Sequence, residues 1–260
     1  MNLHLMTYNI KVGTWTDAGL EAVAKVIAEA RPDLVALQEV DRGMARTGKL
    51  DQAAWLGERL GLHAVYGPAT GGAAFNVAEG EYGIALLSRW PIVEHQRCLL
   101  FHEPLPLDQR PPKYYAEQRA LLGCAVDIQG TLVDVFCTHF DLTQDQRMPQ
   151  ARQVAELCTG WHPGRPSVLM GDFNALPDAP EIDTLRAAFN DVFQALNVVG
   201  EERLTFPSGP LGSHTADGWA AGIDYIFLSS QFAPKRIDVI REPAPASDHA
   251  PVVAQVELHA

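Results

Sequence analysis

Short apolar or alternating segments recur along the whole chain, and most of them stop at a polar residue able to do chemistry. Residues 3–10, 34–38, 82–87, 92–100, 119–128, 131–138, 168–170, 223–228, 236–240 and 252–258 combine apolar or β-branched residues with flanking turn signals, the pattern of strands. Helical spacing separates some of them. Within 17–30, Ala18, Val23, Val26 and Ile27 recur near helical period before Pro32 stops the run, and a second helix at 50–60 closes at Gly61. Thr143 followed by Gln146 fits a capping box that opens a helix running to about Cys158. Irregular loops are expected over 101–112, rich in proline, and over 207–222, rich in Gly and Pro. No linker divides the chain, so residues 1–260 read as a single domain. Strands spread this widely predict two sheets packed face to face with helices outside them.

Charge narrows the partners. Asp and Glu number 32 against 20 Lys and Arg, a formal net charge of −12. Such a field repels long polyanions, whose non-specific binding depends on Lys and Arg neutralising phosphates. The four cysteines, Cys98, Cys124, Cys137 and Cys158, form no CxxC pair, so they read as small core residues and not as a zinc or redox motif. The chain enters a strand-like segment at once, without a signal-peptide pattern, and carries no apolar run near the roughly 20 residues of a membrane span. The expectation is a cytoplasmic monomer that does not insert into membranes.

The residues at the strand ends are Asn9, Gln38-Glu39, Thr138-His139, Asp172 with Asn174, Asp224, and Asp248-His249. Singly, each has an ordinary explanation as a turn or cap residue. Together they differ, because strand ends converge on one rim of a sheet and bring residues distant in sequence into one place.

The wording around them is specific. Thr7-Tyr8-Asn9-Ile10, Leu37-Gln38-Glu39, Thr138-His139-Phe140, Gly171-Asp172-Phe173-Asn174, Ile223-Asp224-Tyr225-Ile226 and Ser247-Asp248-His249-Ala250-Pro251-Val252 occur in that order. The chain thereby resembles the endonuclease/exonuclease/phosphatase superfamily, from residue 7 to about residue 253. The resemblance implies an α+β fold, a deoxyribonuclease I-like four-layer α/β/β/α sandwich of two packed mixed sheets flanked by helices. It also implies a metal-dependent hydrolase of phosphate esters, with its site at one rim of the sheets.

The resemblance further implies residue roles. Glu39 is the principal metal ligand, with Asn9 and Asp248 near the ion. Mg²⁺ suits this oxygen set, and Mn²⁺ fits it too. His249, its ring held by Asp224, acts at the scissile phosphate as general base or cationic stabiliser. Asp172 and Asn174 position the attacking water, and whether Asp172 or His249 takes its proton stays open. His139 binds a phosphate oxygen or protonates the leaving group, supported by Glu81. Arg119 aims at the substrate phosphate, as guanidinium suits phosphate oxygens.

Two departures touch substrate and not catalysis: Ile84 stands where many relatives have Asn, and Gly222 where an Arg is common. The charge favours a small phosphate ester, cleaved as a phosphodiester or a monoester. The alternative is a nuclease, for which Lys113, Tyr114, Tyr115 and Arg119 form a basic-aromatic stretch able to stack a base and meet a phosphate. A binding protein that has lost catalysis is opposed by the intact residue set.

Overall fold

Two parallel strand pairs organise the molecule. The computed structural model describes residues 1–71, 80–103, 105–106, 117–210, 220–242 and 245–259. Strand β1 (Asn2–Asn9) lies parallel to β2 (Leu34–Arg42), and helix α1 (Gly19–Ala30) connects them. Strand β7 (Thr131–His139) lies parallel to β8 (Ser167–Asp172) through helix α3 (Gln144–Trp161). Parallel neighbours need such a crossover, and the helix also covers one face of the sheet.

The other strands pair antiparallel around these centres. Helix α2 (Gln52–Leu60), β3 (His63–Gly71) and β4 (Glu81–Ser88) follow β2; β5 (Ile92–Leu99) and β6 (Ala120–Ile128) precede β7. After β8 come α4 (Pro180–Arg186), β9 (Asn190–Asp191), α5 (Val192–Ala195), β10 (Asp224–Leu228), β11 (Phe232–Val239) and β12 (Val252–Leu258). One six-stranded sheet runs β11-β12-β1-β2-β4-β3 and the other β5-β6-β7-β8-β10-β9.

Three apolar clusters give the layers. Between the sheets, Leu3, Leu5, Leu34 and Leu86 of one meet Leu122, Val135, Val168 and Ile226 of the other. Val23, Val26 and Ile27 of α1 and Leu56 of α2 cover the outer face of the first sheet against Met6, Tyr8, Val35 and Leu37. Val154 and Cys158 of α3, with Ile182 and Leu185 of α4, cover the second against Phe136, Leu169 and Phe227. The result is the four-layer α/β/β/α sandwich. Cys124, Cys137 and Cys158 are buried thiols in these layers, and Cys98 is half-buried. No helix among the described residues is long and apolar enough to cross a membrane.

Two local readings change. Thr143 does sit at the start of α3, but its hydroxyl donates to Asp141 Oδ1 (3.1 Å) and does not cap the helix. The Gln146 side chain bonds the backbone N–H and carbonyl of Glu103 (3.0 and 2.6 Å), so no capping box forms. Strand β3, absent from the sequence reading, contains Gly67 and Pro68, which look like breakers; it is an edge strand with a register shift between Pro68 and Thr70. Proline is tolerated at edges and bulges, where its missing donor costs little. The opposite edge behaves alike: β11 begins at Phe232, not at residue 236, and shifts register at Pro234.

Candidate active site

Parallel pairing puts strand ends side by side. Asn9 ends β1 opposite Gln38, and His139 ends β7 opposite Asp172, the last residue of β8. Because β10 runs antiparallel to β8, its first residue, Asp224, also lies opposite Asp172. The turn before β12 brings Asp248 and His249 to the same rim. A cleft of about 770 Å³ opens there, lined by Glu39, His139, Asp172, Asn174, Asp248 and His249.

Glu39 reaches the cleft through a backbone irregularity. Gln38 pairs with Ile84 and Val40 with Gly83, leaving Glu39 as the extra residue of a bulge with φ 54°. Bulges re-aim a side chain beside a site, and a non-glycine residue in this region stores strain. Asn174 is also left-handed, with φ 48°.

Asn9 ties the two sheets together at the rim. Its Nδ2 donates to Glu39 Oε1 and to Asp172 Oδ2, both at 3.0 Å, while its Oδ1 accepts from the Lys11 N–H at 3.1 Å. Two carboxylate acceptors on one side and a donor on the other fix the amide orientation. Asn9 therefore turns its amide nitrogen to Glu39 and spends its oxygen on the backbone. Asn9 thus holds two carboxylates and stands beside Glu39, the expected metal ligand.

Asp224, His249 and Asp172 form a buried line. His249 Nδ1 donates to Asp224 Oδ2 (2.9 Å), and its Nε2 lies 3.7 Å from Asp172 Oδ2. Burial works against a charge on His249, but Asp224 and then Asp172 outweigh it and push its pKa up to about 10. Burial, with Asp224 adding to it, pushes Asp172 up to about 7. Asp172 Oδ1 accepts from the Asn174 N–H at 2.9 Å. Asp224 Oδ1 is buried without a hydrogen-bond partner among the described residues.

His139 is held differently from the sequence expectation. Glu81, its expected support, pairs with Arg42, whose Nε donates to Glu81 Oε2 at 2.6 Å, and it does not line the cleft. Glu81 is the first residue of β4 and pairs with Arg42 across the β2–β4 ladder, so its side chain meets that neighbour. Arg119 supports His139 instead, its NH1 lying 3.0 Å from Nδ1. A guanidinium only donates, so Nδ1 accepts and the ring proton sits on Nε2. Nε2 lies 3.4 Å from Asp172 Oδ2 and 3.2 Å from Asn174 Nδ2. Burial, and then the Arg119 charge, hold the His139 pKa well below the usual value, which keeps the ring neutral. Arg119 is 4% exposed and also pairs with Glu117 (3.2 Å). It lines the cleft, its NH1 positions His139, and its Nε is buried without a hydrogen-bond partner among the described residues. Tyr115 lies outside the described residues.

Two carboxylate-rich places suit a divalent cation. Asp172, Asp224 and His249 offer ligand atoms within 4.8 Å of one another. In that cluster the imidazole is engaged by Asp224. At the second place, Glu39 Oε2 and Asp248 Oδ2 converge on the ammonium of Lys11, at 3.9 and 3.2 Å. Hard oxygen donors already gathered about a positive charge fit Mg²⁺ or Mn²⁺.

Three contributors were not singled out in sequence. Lys11 stands two residues after Asn9, and only that spacing hinted at it. Phe206 packs on the His249 ring, with centroids 5.0 Å apart. Thr205 clamps the two ends of the Asp224–His249 pair: its Oγ1 accepts from the Ile223 and Asp224 N–H groups (3.1 and 3.3 Å), and its carbonyl from Ala250 N–H (2.7 Å). Gly222, where relatives often have Arg, packs on the Arg203 backbone, and a Cβ there would lie 2.5 Å from the Arg203 carbonyl oxygen.

Comparison with known proteins agrees with this geometry. The sequence profile described as Endonuclease/Exonuclease/phosphatase family matches residues 6–249. The Escherichia coli protein YbhP, described as uncharacterized, is 28% identical over 186 residues, 69% of this chain and 64% of its own length. This chain thus matches less than two thirds of that relative. Among solved structures, an endonuclease/exonuclease/phosphatase from Beutenbergia cavernae superposes with a TM-score of 0.74 at 24% identity, covering 100% of this chain and 72% of that one. A mannosyl-6-phosphatase from Bacteroides thetaiotaomicron gives 0.73 at 21% identity, covering 98% and 100%.

Proposed function

Because the chain belongs to the endonuclease/exonuclease/phosphatase family, we propose that it hydrolyses small phosphate esters by metal-assisted attack of water on phosphorus. The observation that carries this reading is the meeting of Asn9, Glu39, His139, Asp172, Asn174, Asp224 and His249 at one rim, where Asn9 donates to Glu39 and Asp172 across the two sheets, the Asn174 N–H donates to Asp172 and His249 donates to Asp224.

Glu39 would hold the divalent ion, with Asn9 fixing its carboxylate. The ion, when bound, polarises a non-bridging phosphate oxygen and offsets charge on the leaving oxygen. The protein's own groups do the rest. Asp172, oriented by Asn9 and the Asn174 N–H, takes a proton from the attacking water as the oxygen–phosphorus bond forms. His249 keeps both ring protons because a carboxylate faces each nitrogen, and its cationic ring stabilises charge on the phosphoryl oxygens. His139, neutral with its proton on Nε2, donates to a phosphate oxygen or to the leaving oxygen as the ester bond breaks.

Substrate size follows from charge. The cations lining the cleft are already engaged: Lys11 by Asp248, Arg46 by Asp41 and Arg119 by Glu117. With a net charge of −12, this favours an ester held by its phosphate and the ion over a long polyanion tracked along its backbone. The test is a panel of p-nitrophenyl phosphate, bis-p-nitrophenyl phosphate, sugar phosphates, inositol phosphates, DNA and RNA, each with Mg²⁺, Mn²⁺ or chelator. Metal-dependent turnover of a small ester is expected. Turnover confined to DNA or RNA would overturn the substrate class, and turnover indifferent to chelator would overturn the mechanism.

A further inference from the structure

Lys11 lines the cleft, and the reaction scheme leaves it without a task. Its ammonium lies 3.2 Å from Asp248 Oδ2 and 3.9 Å from Glu39 Oε2. We propose that Lys11 is a built-in counter-cation that engages Asp248, so that the cleft takes one divalent ion, at Glu39, and not two. This rests on the metal-dependent reading above.

The backbone that carries Lys11 is held in place by several bonds. Lys11 and Val12 both adopt φ 48°, followed by Gly13 at 63°, a run that side-chain-bearing residues rarely enter. Such strain persists where surrounding bonds enforce it. Here the Lys11 N–H donates to Asn9 Oδ1 (3.1 Å), the Lys11 carbonyl accepts from Thr14 N–H (3.1 Å), and the Val12 carbonyl accepts from Gln52 Nε2 (2.6 Å). The same amide of Asn9 that orients Glu39 thus also fixes the backbone from which the ammonium projects.

The two distances divide the carboxylates. The shorter one is a close ion pair with Asp248, which is 7% exposed and has little water to replace a lost partner. The longer one leaves Glu39 Oε2 open to a metal. A second divalent ion at Asp248 would have to displace the half-exposed ammonium from its ion pair or share the buried carboxylate with it at like-charge contact, and the repulsion of two cations on one carboxylate disfavours the second ion.

Counting bound Mn²⁺ on the whole chain by electron paramagnetic resonance, without any turnover assay, tests this. The wild-type protein and the Lys11→Arg variant should bind one ion. Lys11→Met should bind a second ion, since Asp248 is released to it. Lys11→Asp should also bind two. Two ions in the wild-type protein, or one ion in both Lys11→Met and Lys11→Asp, would overturn the counter-cation role while leaving metal dependence standing. No bound Mn²⁺ in any of the four proteins would overturn the metal-dependent reading itself, and this inference with it. Circular dichroism and melting temperature of each variant separate a binding change from a failure to fold.

Discussion

Asp224 and Asp172 lie directly opposite one another at the first register pair of β10 and β8, and His249 spans the space between their carboxylates. The three groups therefore act as one unit, and their substitutions should not multiply. His249→Ala and Asp224→Ala should each lower kcat/KM by about 10² to 10⁴, and the double variant should fall little further than the worse single one. Steady-state kinetics on all three proteins decide it. Losses that multiply would mean that Asp224 does not orient His249.

The same unit makes stability depend on pH in a defined direction. The His249 pKa in the fold, pushed up to about 10, lies above the ordinary value of 6.5. Between those values the folded chain holds a proton that the unfolded chain has released. The contribution is thus full below about pH 6.5 and lost as pH rises through 10. Asp172, raised from 3.8 to about 7, acts in the same sense at lower pH, its contribution fading as pH rises through 7. Melting temperature in chelator should fall from pH 6.5 to pH 10, and Asp224→Asn should flatten that fall. A melting temperature rising over this range would contradict the charge state assigned to His249.

What the sequence made legible, and what it hid, divides along the distance between partners. Asp224, Asp172 and His139 were readable because each adjoins an apolar run that fixes a strand end. Their meeting at one rim follows from the parallel pairing of β7 with β8 and the antiparallel pairing of β10 with β8. Lys11 was not, since its partner Asp248 comes from the opposite end of the chain and no local pattern joins them. The bulge at Glu39 left no signature either: Leu37, Gln38 and Val40 read as one continuing strand, and only the pairing with Ile84 and Gly83 exposes the extra residue. Strand β3 was concealed by Gly67 and Pro68, whose breaker character matters less at a sheet edge. Thr143 and Gln146 had the spacing of a capping box, yet Asp141 and Glu103 offered them other partners.

The bulge at Glu39 sets function against stability at one residue. Its φ of 54° is favourable for glycine and costly for a residue with a Cβ. Glu39→Ala keeps the strain and loses the carboxylate; Glu39→Gly loses both. Both variants should lose metal-dependent turnover by orders of magnitude, but Glu39→Gly should be more stable than Glu39→Ala by about 1 kcal/mol, or roughly 2–4 °C in melting temperature. Near-normal activity in either would remove Glu39 from the metal site, and an Ala variant as stable as the Gly variant would remove the strain.

Arg119 and Glu81 separate two accounts of how His139 is held. If Arg119 donates to Nδ1, as the 3.0 Å contact shows, its loss frees the ring to change tautomer and to rotate away from Asp172. Arg119→Met should lower kcat about a hundredfold with a smaller change in KM, and nitrogen-15 NMR should show the His139 ring proton leaving Nε2. Arg119→Lys should restore little, because the shorter ammonium side chain does not place its nitrogen where NH1 meets both the ring nitrogen and Glu117. Glu81→Ala loses only a half-exposed pair with Arg42 across the β2–β4 ladder, neither residue lining the cleft, so kcat should stay within about twofold and stability within about 1 kcal/mol. A large kcat loss in Glu81→Ala, with Arg119→Met nearly active, would return the support of His139 to the glutamate.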